Sequence, residues 1–285
     1  MIRSPIGNTK RIALGVVSML FLVLGYTWLA ARQHRDNPND TTIPTWSQLY
    51  QGVERWACVS PDQVEIWREA KVRNPLLERP RSWFERDAKA TLTRLFLGMA
   101  LGVAGGVIIG VLMGASRLVE AFLMPPITFL AKIPPTASLA VFFVLVGTNL
   151  AMFISMIVFG ILPTVSQSVY IAIRDVPDKY FYKAYTLGAS SWTIIWRVMV
   201  PFVLPKILDT IRLAFGPAIV YLVAAEMVCG DVGLGYRIRL QARLLNMDVV
   251  YPYLVILGTF TFAMDYGLKF LQRKMAPWYI TDSEQ

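Results

Sequence analysis

The residues of this chain that can do chemistry are few, and most sit where charge is costly. Glu226 falls near the end of the apolar run "ILDTIRLAFGPAIVYLVAAEM", Asp209 and Arg212 lie near its start, and Asp265 and Lys269 lie late in "YPYLVILGTFTFAMDYGLKF". An ionisable residue in mid-membrane costs about 2.5–3.5 kcal/mol on insertion scales, so each demands a partner or a task. Asp209 and Arg212 are three apart, and Asp265 and Lys269 four apart. At those spacings opposite charges meet on one helical face, and both pairs read as structural. Glu226 has no such neighbour: the nearest basic residue at helical spacing on its segment is Arg212, about four turns away. It either faces a pathway or gate or pairs with Arg237 or Arg239 beyond the segment.

Catalysis is a poor fit. His34 is the only histidine, and no metal-ligand cluster or nucleophile–base pair is visible, so the expectation is no catalytic residue, no metal site and no enzyme. Cys58 and Cys229 both fall in segments read as external, where a disulfide is chemically possible, but nothing else in the sequence links them.

The elements that hold these residues follow from composition. The chain has 285 residues, 55% hydrophobic and 16% charged, against about 25% charged in an ordinary soluble chain. The apolar residues come in blocks of about twenty, the length that spans a bilayer core. The net charge of +9 is scattered among connecting segments with no zinc-finger or RNA-binding pattern, so anionic lipid rather than nucleic acid is the expected counterpart.

Residues 12–31 follow Arg3, Lys10 and Arg11 and end near Trp28, which suits an uncleaved first span. Residues 32–90 read as an external linker with one short surface helix starting at Ser60–Pro61 and carrying Val64 and Trp67. Residues 91–275 hold five further spans, and 276–285 form a tail.

The second span, roughly 92–115, places Gly98, Gly102, Gly106, Gly110 and Gly114 at every fourth position, a ridge that lets a neighbouring backbone come close. Such a ridge serves either static packing or helices that shift during a cycle. The third span, with Pro-Pro pairs at 125–126 and 134–135, reads as a bent lead-in followed by a span from about 136. A fourth covers 150–173, with Pro163 expected to kink it, and a fifth and sixth cover about 207–228 and 249–271. Positive charge concentrates on the side of the two termini, which the positive-inside rule makes cytoplasmic, although Arg237, Arg239 and Arg243 fall on the other side.

Between spans four and five lies "KAYTLGASSWTIIWRVMVPFVLPK", too polar for a span and too ordered for a loop. Gly188 ends one helix, Ser190 or Ser191 caps the next, and Pro201 and Pro205 are expected to stop it. "GDVGLGY" places Gly233 and Gly235 in a turn between spans, the wrong setting for a dinucleotide fingerprint.

The segment resembles the cytoplasmic motif of ATP-binding-cassette importer permeases: E-A-A, three residues, Gly, nine residues, I-x-L-P. Here Tyr182-Lys183-Ala184 is followed after three residues by Gly188-Ala189, and Val198-Met199-Val200-Pro201 falls at the right distance, with Tyr182 and Lys183 departing from the motif. "TLGASSWTIIWRVMVPFVLP", "MGASRLVEAFLMPPITFLAKIPP" and "VAAEMVCGDVGLGY" are similar to text of the nitrate, sulfonate, taurine and bicarbonate permeases.

The resemblance implies an all-α membrane protein with six transmembrane helices, a type I importer core and a coupling helix between spans four and five. It implies a multi-pass subunit of the bacterial inner membrane with both termini cytoplasmic. Its partners would be cytoplasmic ATPase subunits that use ATP, an external solute-binding protein or lipoprotein, and a second permease copy, most simply as a homodimer. No cofactor would be bound by the chain itself. Tyr182, Lys183, Ala184, Gly188, Ala189, Val198 and Pro201 would contact the ATPase, and Glu226, Gly233 and Gly235 would lie at the pathway or gate. The solute would be small and polar or ionic. "YRIRLQARLLNMDVVYPYL" and "KMAPWY" also resemble a branch linked to guanidine- or urea-like solutes. The rival reading is a secondary transporter without an ATPase, which leaves the folded segment around Gly188 unexplained.

Overall fold

The computed structural model describes residues 7–38, 40–57, 65–66, 68–69, 71–72 and 82–277. The regular elements among the described residues are all helical. Five helical stretches are long and apolar enough to cross a membrane: Ala13–Asp36, Trp83–Ala115, Leu150–Arg174, Ser191–Cys229 and Met247–Met275. The chain divides into two compact units, one holding the described residues up to Glu85 with Ile238–Val255, the other Arg86–Arg237 with the described residues from Ile256 onward.

The first unit contains α1 (Asn8–Asp36) and α2 (Trp46–Ala57). The polar run after the first span is therefore more than linker. Helix α2 starts in a capping box: the Gln48 carboxamide accepts from the Thr45 amide at 2.7 Å, and the Thr45 hydroxyl accepts from the Gln48 amide at 3.4 Å. Trp56 closes α2 into an aromatic cluster with Phe84 and Tyr253, ring centroids 4.9 and 5.1 Å away. The helix start expected at Ser60–Pro61, with Val64 and Trp67, lies outside the described residues, as does Cys58.

The second unit is built on α3 (Trp83–Ala115) and α6 (Leu150–Arg174). A Cβ on Gly98, Gly102, Gly106, Gly110 or Gly114 would come within 2.6–2.7 Å of Ile157, Ile161, Val165, the Ser166 carbonyl or Ile173 respectively. The five glycines thus leave the space that α6 occupies, and Gly110 meets backbone. Residue numbers rise together along both helices, so α3 and α6 run parallel.

A parallel pair requires the intervening chain to return along its length. That chain is α4 (Arg117–Leu130) and α5 (Leu139–Val146). Neither is a full span, since 14 and 8 residues rise about 21 and 12 Å. The two Pro-Pro pairs behave differently: α4 continues through Pro125 and Pro126, while turns at 131–138 around Pro134 and Pro135 separate the two helices. Membrane-embedded helices tolerate such missing donors when surrounding groups take up the freed carbonyls. Pro163 likewise sits inside continuous α6.

The remaining helices are α7 (Asp178–Thr186), α8 (Ser191–Ile194), α9 (Val200–Cys229), α10 (Leu234–Arg243) and α11 (Met247–Met275). Pro201 and Pro205 do not stop a helix. A π-helical turn over Ile195–Met199 joins α8 to α9, and both prolines lie within the joined helix. Pro201 sits in the first turn of α9, where the wider turn before it accommodates a residue with no N–H to donate. Helix α3 also starts earlier than expected, at Trp83, which brings a polar first third into the same rod.

Of the charged pairs, Arg212 lies 3.4 Å from Asp209 and 3.7 Å from Asp265. Asp265 therefore faces Arg212 across helices, a partner the spacing to Lys269 did not suggest.

Candidate functional site

Two constellations stand out. The first is the turn at Gly188, where φ is +77°. The Ala189 amide donates to the Ala184 carbonyl at 3.0 Å and the Gly188 amide to the Tyr185 carbonyl at 2.9 Å, the pair of bonds of a Schellman stop. Two residues later the Ser190 hydroxyl accepts from the Thr193 amide at 3.3 Å and starts α8. One helix is stopped and the next started within five residues.

This corner buries almost nothing. Helix α7 has no buried residue, and Leu187 is 87% exposed, Tyr182 70% and Trp192 67%. Lys183, Gly188 and Pro201 are exposed, and Ala184, Ala189 and Val198 are half-buried. Trp192 and Trp196 sit edge to face 5.6 Å apart. Exposed Tyr, Leu and Trp side chains on a capped corner have the composition of a contact surface.

The second constellation is a buried ionic cluster between α3, the end of α9 and the turn into α10. Glu226 is fully buried, and Arg94 Nη1 donates to its Oε1 at 2.8 Å and to the Val232 carbonyl at 2.6 Å. The Thr91 hydroxyl lies 2.9 Å from both carboxylate oxygens and accepts from the Leu234 amide at 2.9 Å. The Gly235 amide donates to Glu226 Oε2 at 3.0 Å. Arg94 also stacks over the Phe153 ring at 4.0 Å. Beside it, Asp87 accepts from Arg237 Nε at 2.8 Å and from the Gly233 amide at 3.2 Å.

Two carboxylates and two guanidiniums thus balance one another out of water. Gly233, at φ +130°, has no room for a Cβ against the Glu226 carboxylate, and a Cβ on Gly235 would lie 2.5 Å from the Val223 carbonyl. The turn therefore wraps the carboxylate with bare backbone, and both Glu226 oxygens are occupied by protein donors. The arrangement clamps the 230–237 turn onto α3; it is not an open binding site.

The sequence reading brought Glu226, Gly233 and Gly235 forward but missed their partners. Glu226 pairs with Arg94, not with Arg237 or Arg239; Arg237 belongs to Asp87. The signal was present: Asp87, Thr91 and Arg94 fall at i, i+4 and i+7, one polar stripe entering an apolar span. The Asp87 pair also accounts for one of the three arginines that blurred the charge asymmetry. No His/Cys/Asp/Glu grouping able to hold a metal occurs among the described residues.

Residues 102–277 match the family of binding-protein-dependent transport system inner membrane components, and the chain belongs to that family. It is 32% identical to the taurine transport system permease protein TauC of Escherichia coli (strain K12) over 67% of this chain and 69% of that one. It is 30% identical to the putative aliphatic sulfonates transport permease protein SsuC of Bacillus subtilis (strain 168), over 66% and 68%. With the bicarbonate transport system permease protein CmpB of a Synechocystis strain it shares 26% over 76% and 80%. In fold it is similar to the inward-facing MetNI methionine ABC transporter, with a TM-score of 0.61 at 21% identity over 68% of this chain and 96% of that one. A bacterial alginate ABC transporter superposes with a TM-score of 0.58 at 15% identity, over 93% and 96%. The chain is thus a multi-pass inner-membrane permease with the fold of ABC importer permeases.

Proposed function

We propose that this chain forms the membrane pathway of an ATP-driven importer and is driven through the Gly188 corner by a separate cytoplasmic ATPase. The observation that carries this reading is the corner itself: a capped helix–Gly–helix joined directly to α6 and α9, with Tyr182, Leu187 and Trp192 left exposed by the described residues. Tyr182, Lys183, Ala184, Gly188, Ala189, Val198 and Pro201 supply its contact surface. Both termini lie in the cytoplasm on this reading, the chain crosses six times with the broken α4–α5 segment as the third crossing, and two copies enclose the path. An external binding protein delivers the solute, and ATP is bound and hydrolysed only by the partner.

The solute is small and polar or anionic, of the taurine, sulfonate or bicarbonate kind, as the names of the relatives suggest. The clamp around Glu226 acts as a gate on this reading, because it fixes the turn that follows α9 while α9 is continuous with the corner. The test is reconstitution with the cognate ATPase and binding protein in liposomes. Uptake should need ATP and both partners; uptake driven by an ion gradient without the ATPase would return the chain to the secondary-transporter reading.

A further inference from the structure

Helices α6 and α9 do not close on each other along their whole length. Between them is a cleft of about 200 Å³, lined by Gly160, Thr164 and Ser168 from α6 and Thr210, Pro217 and Tyr221 from α9, among others. The α6 residues recur at i, i+4 and i+8, on a face adjacent to the one packed against the glycine ridge. The lining contains no carboxylate, ammonium, guanidinium or imidazole.

The hydroxyls are not equivalent. Thr164 donates to the Ile161 carbonyl at 2.9 Å and Thr210 to the Lys206 carbonyl at 2.9 Å, so each turns lone pairs outward. Ser168 and Tyr221 have no hydrogen-bond partner among the described residues, so each retains a donor as well. The Tyr221 ring rests against Gly160, where an added Cβ would lie 2.5 Å from Cε2. Gly160 is ten residues from Leu150 and fourteen from Arg174, in the middle of α6. That is the depth at which an unsatisfied hydroxyl facing lipid costs several kcal/mol. A polar group entering the cleft would meet the Tyr221 and Ser168 hydroxyls on walls that Ile161, Val165 and Leu213 make otherwise apolar.

We infer that the cleft is this chain's half of the solute path, an inference that rests on the permease reading above. A small polar solute carrying both donors and acceptors passes along it, contacted by hydroxyls with no fixed counter-charge. The weak, exchangeable contacts of such a lining suit passage rather than retention, because a solute held by a desolvated ion pair leaves slowly.

The test uses the complex with ATPase and binding protein in liposomes, in a chain carrying Cys58→Ser and Cys229→Ser. Ser168→Cys, Tyr221→Cys and Leu101→Cys are made one at a time. Leu101 is 57% exposed and lies at the level of Gly160 in the parallel α3–α6 register, which makes it the control for an exposed position outside the cleft at equal depth. The probes are 2-sulfonatoethyl and 2-trimethylammonioethyl methanethiosulfonate, which form a disulfide with an ionised thiol and expel methanesulfinate. Both should modify the 168 and 221 variants at least tenfold faster than the 101 variant, with rates that change at least threefold on adding ATP. Rates equal to the 101 variant, or rates indifferent to ATP, overturn the path assignment. If the wild-type complex also fails to hydrolyse ATP in response to its binding protein, the permease reading itself fails; if it responds normally, only the cleft is misassigned.

Discussion

Arg94 and Glu226, 132 residues apart in sequence, meet at 2.8 Å with side chains 9% and 0% exposed. Removing one member of a buried pair leaves the other charge without compensation and costs about 3–5 kcal/mol, whereas replacing both by apolar residues is often far milder. Glu226→Leu and Arg94→Leu should each lower the thermal stability of the purified protein strongly, and the double variant should lose clearly less than their sum. Strict additivity would mean that the two side chains act independently.

The same residue tests the gate. Glu226→Gln, measured for ATP-driven uptake of an anionic and a guanidinium-like solute, should alter ATP hydrolysed per solute moved for whichever solute is carried. Selective loss of cation uptake would instead make Glu226 a recognition residue, at odds with its two fully engaged oxygens.

Gly233 supports that carboxylate from the other side. Gly233→Ala combines a backbone at φ +130° with a methyl group directed into the Glu226 carboxylate. It should impair stability about as much as Glu226→Gln, by several kcal/mol. Thermal unfolding of the two variants side by side checks this; a near-wild-type melting temperature would show that the turn is not clamped.

The glycine ridge should reject bulk. In Gly106→Leu the new Cβ lies 2.7 Å from Val165 Cγ1 and 3.2 Å from the Leu162 carbonyl, so α3 and α6 must separate. The expected cost is about 1–3 kcal/mol, with lost assembly or transport. Leu101→Ala, on an exposed face of α3, should be close to neutral. Equal effects of the two changes would remove the ridge as a packing surface.

What the sequence disclosed and what it hid divide along sequence distance. The break at Gly188, the Ser190 cap and the four-residue glycine spacing are local, written in backbone chemistry and helical period. Arg94 and Asp87 are not legible as partners because they lie 132 and 150 residues from Glu226 and Arg237, beyond the reach of helical spacing or an adjoining turn. Pro201 and Pro205 carry the local signature of helix stops, but the π-turn over Ile195–Met199 lets the helix run on through them. The α2 capping box at Thr45–Gln48 is written in "TWSQ", but it follows directly on the turn-rich "RDNPNDTTIP", which hides it.

The central claim is that the Gly188 corner holds the ATPase, and Gly188→Val addresses it most directly. Gly188 has φ +77° with open space around its Cβ position, so the substitution disturbs the stop itself and the surface beyond it without a clash in the membrane core. The left-handed conformation costs a non-glycine residue about 1–2 kcal/mol, and β-branching adds to that. The measurement is co-purification of the cognate ATPase with membrane-inserted wild type and variant, together with ATP-driven uptake in liposomes. The account predicts a variant present in the membrane at normal level, without bound ATPase and without uptake. A Gly188→Val chain that retains its ATPase and transports normally would contradict it.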